Sequence, residues 1–200
     1  MKKTIVFDIG GVLIDWNPRY LYEKIFADPD ELDFFLRAVC SPAWNATTDV
    51  DKSFRDAMDE LVPFHPEYED QIRAYFPRWG EMLGGEIAGT VKILNELKEA
   101  GYHLAVLSNF SSETLPIVED QYDFLGWFKP LIISGRVGYA KPEPSIYQIL
   151  LHELSQNARE CIFIDDKLEN IQEASRQGFE GIHFTSPENL RKNLVTMGVL

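Results

Sequence analysis

The sequence predicts an α/β fold in which two layers of helices enclose a mostly parallel sheet and a helical segment is inserted after the first strand. Short apolar runs with little polar alternation indicate strands that are covered on both faces, at 4–7, 103–107, 131–133, 161–164 and 181–184. Amphipathic stretches separate most of these runs. Strands that alternate with helices are typical of a three-layer α/β/α, Rossmann-like domain with a parallel sheet.

The helices of this alternation are predicted from apolar periodicity and from the residues that end them. Residues 90–100 stop at Gly101 and residues 168–177 stop at Gly178, and glycine commonly follows the last turn of a helix. Two further helices are predicted on the same periodicity at 145–154 and 187–197.

The alternation is interrupted after the first strand, where helix signals occur and no strand-like run is visible up to about Glu86. The segment Asp28-Pro29-Asp30-Glu31 has the capping aspartate, the proline and the glutamate that typically begin a helix. Further prolines divide the rest of this stretch. We therefore expect a core domain from residues 1–15 and 87–200 and a helical insert from residues 16–86.

Length, charge and cysteine content exclude several classes of protein. The 200 residues, of which 45% are hydrophobic and 26% charged, suit one ordinary domain or a core with a modest insert. A net charge of −13 without a basic cluster argues against nucleic acid and anionic membranes as partners. Cys40 and Cys161 have neither disulfide-framework nor zinc-site spacing. Because no apolar run is long enough for a secretion signal or a membrane span, we expect a cytoplasmic protein.

Polar residues follow the predicted strands at the positions where ligands bind in parallel sheets, beyond the carboxyl ends. These residues are Asp8 after the first run, Ser108 and Asn109 after the second, Lys141 shortly after the third, and Asp165, Asp166 and then Asn170 after the fourth. The residues 110–113 after Asn109 are expected to open a helix. Three carboxylates, a hydroxyl and a lysine therefore converge on one edge of the predicted sheet.

This set of side chains predicts phosphoryl chemistry with a divalent cation. Mg²⁺ takes oxygen ligands, usually one or two carboxylates together with water and substrate phosphate. A hydroxyl in front of a helix N terminus binds phosphate oxygens, and a lysine offsets the negative charge of the carboxylates and the transferring group. One carboxylate can act as the nucleophile, so that hydrolysis proceeds through an aspartyl-phosphate.

Four segments resemble, in order, the four motifs of the haloacid dehalogenase superfamily. They are Phe7-Asp8-Ile9-Gly10-Gly11-Val12-Leu13, Leu107-Ser108-Asn109, Lys141-Pro142-Glu143 and Ile164-Asp165-Asp166. The predicted helical insert falls where that superfamily carries its small helical cap, so the resemblance covers the whole chain. The continuation of the first motif through Asp15-Trp16-Asn17-Pro18-Arg19 looks most like sugar-phosphate phosphatases, particularly the bacterial glucose-1-phosphate phosphatase group.

The resemblance implies a role for each motif residue. Asp8 would be the nucleophile and a Mg²⁺ ligand, Ser108 and Asn109 would hold the phosphate, and Lys141 would stabilise the charge around Asp8. Asp165 and Asp166 would complete the Mg²⁺ site, with Asn170 supporting it. Arg19 is a further candidate for binding the phosphate, because arginine suits phosphate and this residue closely follows the first motif.

Gly10 departs from the pattern of the superfamily. Most phosphatases that resemble this chain have a second aspartate there, two residues after the nucleophile, as general acid and base. The Gly10 carbonyl can still ligate the metal, but a missing general acid typically costs about 10²–10⁴-fold in rate. The anomeric oxygen of a sugar 1-phosphate needs less protonation than an ordinary alcohol, so a sugar 1-phosphate is the expected substrate. Asp15 or a cap residue would be another source of the proton.

The residues of the predicted cap have two interpretations. Trp16, Trp44, Asn45 and Trp79 would either line a sugar pocket or form the core of a small helical bundle. The acidic residues of the cap are interpreted as a solvated helix face; they are Asp49, Asp51, Asp56, Asp59 and Glu60.

The expected function is a Mg²⁺-dependent phosphatase that hydrolyses a small phosphorylated metabolite, with the cap closing over the substrate. A 2-haloacid dehalogenase is an alternative, although the resemblance implies uncharged residues in such enzymes where Asp165 and Asp166 stand. A phosphotransferase or mutase would need the missing acid and base even more. The last alternative is a binding protein of the same fold in which Gly10 has removed most of the activity.

Overall fold

The computed structural model describes residues 2–50 and 52–200, so Met1 and Asp51 lie outside the described residues. Its strands are β1 (Thr4–Phe7), β2 (Ile14–Trp16), β3 (Leu83–Glu86), β4 (Leu104–Ser108), β5 (Leu131–Ile133), β6 (Cys161–Asp165) and β7 (Glu180–His183). A five-stranded sheet has the order β5-β4-β1-β6-β7, and all its strands are parallel. The five predicted strands are therefore present, with ends shifted by one residue at most.

The helices occupy the positions between the strands. They are α1 (Arg19–Tyr22), α2 (Pro29–Phe34), α3 (Pro42–Thr48), α4 (Phe54–Leu61), α5 (Glu69–Ala74), α6 (Ala88–Glu99), α7 (Leu115–Gln121), α8 (Ser134–Val137), α9 (Pro144–Leu154), α10 (Leu168–Arg176) and α11 (Pro187–Thr196). A π-helical turn over Phe35–Val39 extends α2. Helices α6 and α10 end just before Gly101 and Gly178, whose positive φ angles of 74° and 97° explain the choice of glycine. Among the described residues, every helix falls short of the length and apolar character that a membrane span requires.

Both faces of the parallel sheet are buried, which explains the continuous apolar runs of its strands. In β1, Ile5 and Phe7 belong to one hydrophobic cluster, which includes residues of α6, α7 and α11. Val6 between them belongs to a second cluster, which includes residues of α9 and α10. Side chains alternate across a strand, so a strand between two layers of helices needs apolar residues at every position. The predicted three-layer α/β/α fold is thereby confirmed.

The expectation that no strand occurs between residues 16 and 86 is wrong, because β3 pairs with β2 in an antiparallel ladder. The strand β3 reads Leu83-Gly84-Gly85-Glu86, and glycine is depleted in strands, so the sequence gives no strand signal there. Gly84 also leaves room for its neighbours: a Cβ atom at this position would force the side chains of Asp15 and Tyr20 to shift. The β2–β3 ladder joins the two ends of the helical insert.

The insert between β2 and β3 contains α1 to α5, as the sequence predicts, and is held together by aromatic packing. Asp28 accepts a hydrogen bond from Asp30 N (2.9 Å) and caps α2. The ring of Tyr22 packs 4.7 Å from that of Phe35, and both side chains are fully buried. We retain residues 16–86 as the proposed cap and the remainder as the proposed core.

Candidate active site

The parallel sheet brings the motif residues to its carboxyl edge. Asp8 directly follows β1, and its backbone N–H donates to Ile164 O on the neighbouring strand β6 (2.9 Å). Ser108 is the last residue of β4 and Asp165 the last residue of β6, on either side of β1. Lys141 reaches the same point from the loop that precedes α9. All four side chains are buried, so the charges of Asp8, Lys141 and Asp165 must be compensated by one another or by a ligand.

The two carboxylate oxygens of Asp8 differ in their surroundings. Oδ1 accepts hydrogen bonds from Ser108 Oγ (2.6 Å) and from Ile9 N (2.8 Å). Oδ2 lies 3.0 Å from Lys141 Nζ, which is its one protein partner among the described residues. Oδ2 therefore keeps lone pairs for a ligand or for attack on an electrophile. Burial raises the pKa of Asp8 to about 7, opposed by the charge of Lys141 and reinforced by that of Asp165.

Lys141 is the positive centre of the site. Its Nζ is 2.7 Å from Asp165 Oδ2, 3.0 Å from Asp8 Oδ2 and 2.8 Å from Leu107 O, so each of the three ammonium protons has an acceptor. Burial by itself would lower the pKa of Lys141, but the charges of Asp165 and Asp8 outweigh it and raise the pKa above its ordinary value. The lysine is thus held as a cation beside Asp8.

The adjacent acids Asp165 and Asp166 differ in their contacts. Asp165 is fully buried, and its oxygens accept from Lys141 Nζ, Lys167 N (2.8 Å) and Asn170 Nδ2 (3.0 Å to each oxygen). Burial opposes its ionisation, but Lys141 and these hydrogen bonds hold the pKa of Asp165 below its ordinary value. The Asp166 carboxylate has no side-chain donor among the described residues, and burial followed by the charge of Asp165 raises its pKa.

The donor set of this edge fits a hard divalent cation. One carboxylate oxygen from each of Asp8, Asp165 and Asp166 lies within 4.8 Å of the others. Lys141 offsets only part of this negative charge, and the buried Oδ1 of Asn170 has no hydrogen-bond partner among the described residues. Gathered carboxylates with an unused amide oxygen nearby are what Mg²⁺ coordination and its supporting hydrogen bonds require. Gly10 lines the same cavity as Asp8 and Asp166.

Ser108 and Asn109, which the sequence predicts to hold the phosphate, also position other members of the site. Ser108 donates to Asp8 as described above. The Asn109 side chain accepts from Lys141 N (2.7 Å) and donates to Lys141 O (2.9 Å), so it fixes the backbone of the lysine loop. The helix expected at 110–113 begins later, at Leu115, because a turn intervenes. Ser108 is therefore not at a helix N terminus.

A cavity of about 380 Å³ lies between this edge and the cap. Of the cap residues considered from the sequence, Trp16, Asn45 and Trp79 line it, and the two indoles stack with centroids 6.5 Å apart. Trp44 is absent from the lining, because its indole donates to Ala57 O (3.2 Å) inside the cap.

Arg19 is not brought to this cavity. Its guanidinium group pairs with Asp33 and lies 3.6 Å from Glu23, and 38% of its side chain is exposed. The structure therefore gives no support to the phosphate-binding role predicted for Arg19. Asp33 and Glu23 balance the positive charge of Arg19, and all three side chains are partly exposed.

Sequence reasoning missed several polar residues of the cavity, and three of them are titratable. Asp49, Tyr75 and Lys167 all line it. The interpretation of Asp49 as part of a solvated helix face is wrong, because this residue faces the cavity and is only partly accessible to solvent. The four-residue spacing of Asn45 and Asp49 places both on one helix face, which was the one available signal. Nothing in the spacing says that this face is turned toward the core.

A family model for a haloacid dehalogenase-like hydrolase matches residues 2–178 of this chain. The chain therefore belongs to that family, which confirms the family and the hydrolase class that its motifs predict.

Known proteins of similar sequence and fold agree with this family. The chain is 26% identical to the sesquiterpene phosphatase astK of Aspergillus oryzae, over 92% of this chain and 90% of that protein. It is 27% identical to a D-ribitol-5-phosphate phosphatase of Bacteroides thetaiotaomicron, over 94% of this chain and 93% of that protein. A magnesium complex of the HAD family enzyme bt-2542, also from Bacteroides thetaiotaomicron, is similar with a TM-score of 0.73 at 19% identity, over 92% of this chain and 94% of that one. The names of the two relatives support the phosphatase class, and the solved structure shows the fold. The likeness to the glucose-1-phosphate phosphatase group stays a prediction.

Proposed function

We propose that this chain is a Mg²⁺-dependent phosphatase that hydrolyses a phosphate ester of a small metabolite through an aspartyl-phosphate on Asp8. The observation that carries the proposal is the arrangement of Asp8: Oδ1 is held by Ser108 and Ile9, and Oδ2 lies beside the buried Lys141 cation at the floor of the cavity. A carboxylate held on one oxygen and available on the other is suited to nucleophilic attack.

Each of the protein groups has a separate role in the proposed reaction. Asp8 Oδ2 attacks phosphorus, the bond from phosphorus to the ester oxygen breaks, and water later hydrolyses the resulting acyl phosphate. Lys141 offsets the charge that gathers on the phosphoryl oxygens, because its three acceptors fix it beside Asp8. Ser108 keeps the attacking carboxylate in one orientation, and Asn109 keeps Lys141 in place.

For the cation we propose Asp8, Asp166 and the Gly10 carbonyl as protein ligands. When bound, Mg²⁺ supplies positive charge to the phosphate oxygens and orients them. Asp165 was predicted as a further ligand, but both of its oxygens already accept hydrogen bonds from protein groups. Its proposed part is therefore to hold Lys141 and to add negative charge to the site, with Asn170 supporting the arrangement.

The proposed substrate class is a sugar phosphate, with a sugar 1-phosphate favoured. The cavity of about 380 Å³ suits a small molecule, and the stacked rings of Trp16 and Trp79 offer an apolar wall for a sugar face. The Trp16 indole N–H is buried without a hydrogen-bond partner among the described residues. Gly10 places no acid side chain in the core part of the cavity, and the anomeric oxygen of a sugar 1-phosphate demands least of an acid that acts from elsewhere in the cavity. We propose the cytoplasm as its location, where small phosphorylated metabolites are found.

Release of phosphate from a panel of sugar phosphates, with and without Mg²⁺, tests the proposal. Wild type is compared with Asp8→Asn and with Asp120→Asn, a matched change at an exposed site on α7. We expect release that requires both Mg²⁺ and Asp8, is unaffected by Asp120→Asn, and is faster for glucose 1-phosphate than for glucose 6-phosphate.

Other outcomes of the panel contradict the proposal. Release that persists in Asp8→Asn would exclude the aspartyl-phosphate. Halide release from 2-haloacids without metal would favour the dehalogenase alternative. Tight binding of Mg²⁺ with no turnover of any ester would favour the non-catalytic alternative.

A further inference from the structure

The core domain offers no acid or base side chain at the place where the resemblance expects one. Gly10 occupies it, and a Cβ atom there would meet no other atom within 4 Å, so no neighbouring side chain fills the space. Asp15, the first substitute considered from the sequence, accepts a hydrogen bond from Tyr20 O–H (2.7 Å) and is absent from the cavity lining. The candidates for a protein proton donor are therefore the other titratable groups that line the cavity.

Asp49 is fixed in that wall, at the C-terminal end of α3 in the cap. Its backbone carbonyl accepts a hydrogen bond from Ser134 Oγ, and the same hydroxyl accepts from Phe110 N (2.9 Å). Phe110 directly follows the Ser108-Asn109 motif. Asp49 is thus tied to the core at the carboxyl ends of β4 and β5, and it lines the same cavity as Asp8.

The carboxyl group of Asp49 is oriented by a short polar chain within the cap. Tyr75 O–H donates to Asn45 Oδ1 (2.7 Å), which turns the Asn45 amide toward Asp49 Oδ2 at 3.4 Å. Asp49 Oδ1 has no hydrogen-bond partner among the described residues. One oxygen is therefore held weakly, and the other is available to a group in the cavity.

The protonation of Asp49 also suits proton transfer. Burial raises its pKa to about 6, although the positive charge of Lys167 opposes the shift. The titratable groups that face Asp49 are this lysine, from the loop after β6, and Tyr75, from the end of α5. A carboxyl group with a pKa near the working pH donates and accepts protons more effectively than one with the ordinary value.

We propose that Asp49 is the general acid and base of the phosphatase reaction, acting from the cap in place of the side chain that Gly10 lacks. The proposal rests on the phosphatase function proposed above. As Asp8 attacks phosphorus and the ester P–O bond breaks, the Asp49 proton passes to the leaving oxygen, which gives the free alcohol and an Asp49 carboxylate. A water molecule then loses a proton to this carboxylate and attacks the acyl phosphate. The P–O bond to Asp8 breaks, which releases phosphate and restores Asp8 as a carboxylate and Asp49 as the acid.

Leaving-group dependence distinguishes this role from a structural one. Asp49→Asn is compared with wild type on glucose 6-phosphate, whose alcohol needs a proton, and on p-nitrophenyl phosphate, whose phenolate does not. With glucose 6-phosphate we expect kcat/KM to fall about 10²–10⁴-fold. With p-nitrophenyl phosphate the first turnover stays close to the wild-type rate, but water attack lacks its base. Nitrophenolate is therefore released in a burst of one equivalent per enzyme, followed by slow turnover.

Two further variants serve as controls. Asp49→Glu restores a carboxyl group and recovers part of the loss, whereas Asp70→Asn, an exposed aspartate on α5 of the cap, changes neither substrate. An equal fall on both substrates without a burst would assign Asp49 a structural role and overturn the proposal, as would an unchanged Asp49→Asn enzyme. A wild type that releases no phosphate would instead overturn the proposed function on which this inference depends.

Discussion

The cavity has two walls that differ in chemistry: the core wall, formed at the carboxyl edge of the parallel sheet, and the cap wall, formed by residues of the insert 16–86. The core wall consists of charged groups, and Lys141 and Asp165 have an acceptor or donor for each polar atom. The cap wall consists of aromatic rings and a polar chain in which the Trp16 N–H has no partner and the Asn45–Asp49 contact is long. Charged groups that hold one another in place suit a fixed reaction common to a family, and aromatic rings with weakly held polar groups suit the recognition of a particular substrate. Changes at Lys141 and Asp165, which hold one another, should therefore cost both stability and rate, and changes in the cap wall should affect chiefly rate or affinity.

The largest effect is expected for Lys141→Met in the core wall. The substitution leaves the buried carboxylates of Asp8 and Asp165 without their shared cation, and breaking a buried ion pair on one side typically costs about 3–5 kcal/mol. Urea denaturation measures the free energy of unfolding, and activity should be lost with it. Lys92→Met, at an exposed position of α6, is the matched control and should change little. A stability loss below about 1 kcal/mol, the range of exposed ion pairs, would mean that the core wall does not depend on this cation.

Asp165 and Asp166 allow a comparison within the core wall, because each variant is the control for the other. Asp165→Asn removes the charged acceptor of Lys141, Lys167 and Asn170, and should cost about 1.5–3 kcal/mol in unfolding free energy. Asp166→Asn breaks no side-chain hydrogen bond and should leave the unfolding free energy nearly unchanged. It should weaken Mg²⁺ binding at least about tenfold, as seen by calorimetric titration. The opposite pattern would assign Asp165 the direct contact with the metal.

A smaller effect is expected for Ser108→Ala, which removes the 2.6 Å hydrogen bond to Asp8 Oδ1. Ile9 N still holds that oxygen, so the carboxylate loses one of two constraints. We expect kcat/KM to fall about 10- to 100-fold, which corresponds to the 1.5–3 kcal/mol of a hydrogen bond to a charged group. Steady-state kinetics beside the exposed Ser112→Ala control would measure it. An unchanged kcat/KM would show that Ser108 does not orient the nucleophile.

The smallest effect is expected for Tyr75→Phe in the cap wall. The variant loses the donor that orients Asn45, and through it Asp49, while the ring keeps its packing. We expect a stability loss of about 0.5–1.5 kcal/mol and a decrease in kcat of less than about tenfold. Tyr139→Phe, at an exposed position in the loop after α8, is the control. A loss of stability as large as that of Lys141→Met would contradict the proposed difference between the core wall and the cap wall.

The same difference explains how much the sequence could predict. The core site was predicted residue by residue, because each residue follows a strand signal and parallel strands end at one edge. The different roles of Asp165 and Asp166 were not predicted, because they depend on which of the two carboxylates the Lys141 ammonium group contacts. In the cap, β3 was missed because its pairing with β2 is a tertiary contact. The environment of Asp49 was predicted wrongly, because a polar helix face has the same sequence pattern whether it faces solvent or a cavity.

Rapid chemical quench followed by peptide mass spectrometry tests the central claim most directly. The enzyme is mixed with Mg²⁺ and p-nitrophenyl phosphate and stopped in acid within the first turnovers. The account predicts one phosphoryl group on the peptide that contains Asp8, formed as fast as nitrophenolate appears and absent from Asp8→Asn. Turnover without any phosphorylated peptide, or with the phosphoryl group on another residue, would contradict the account.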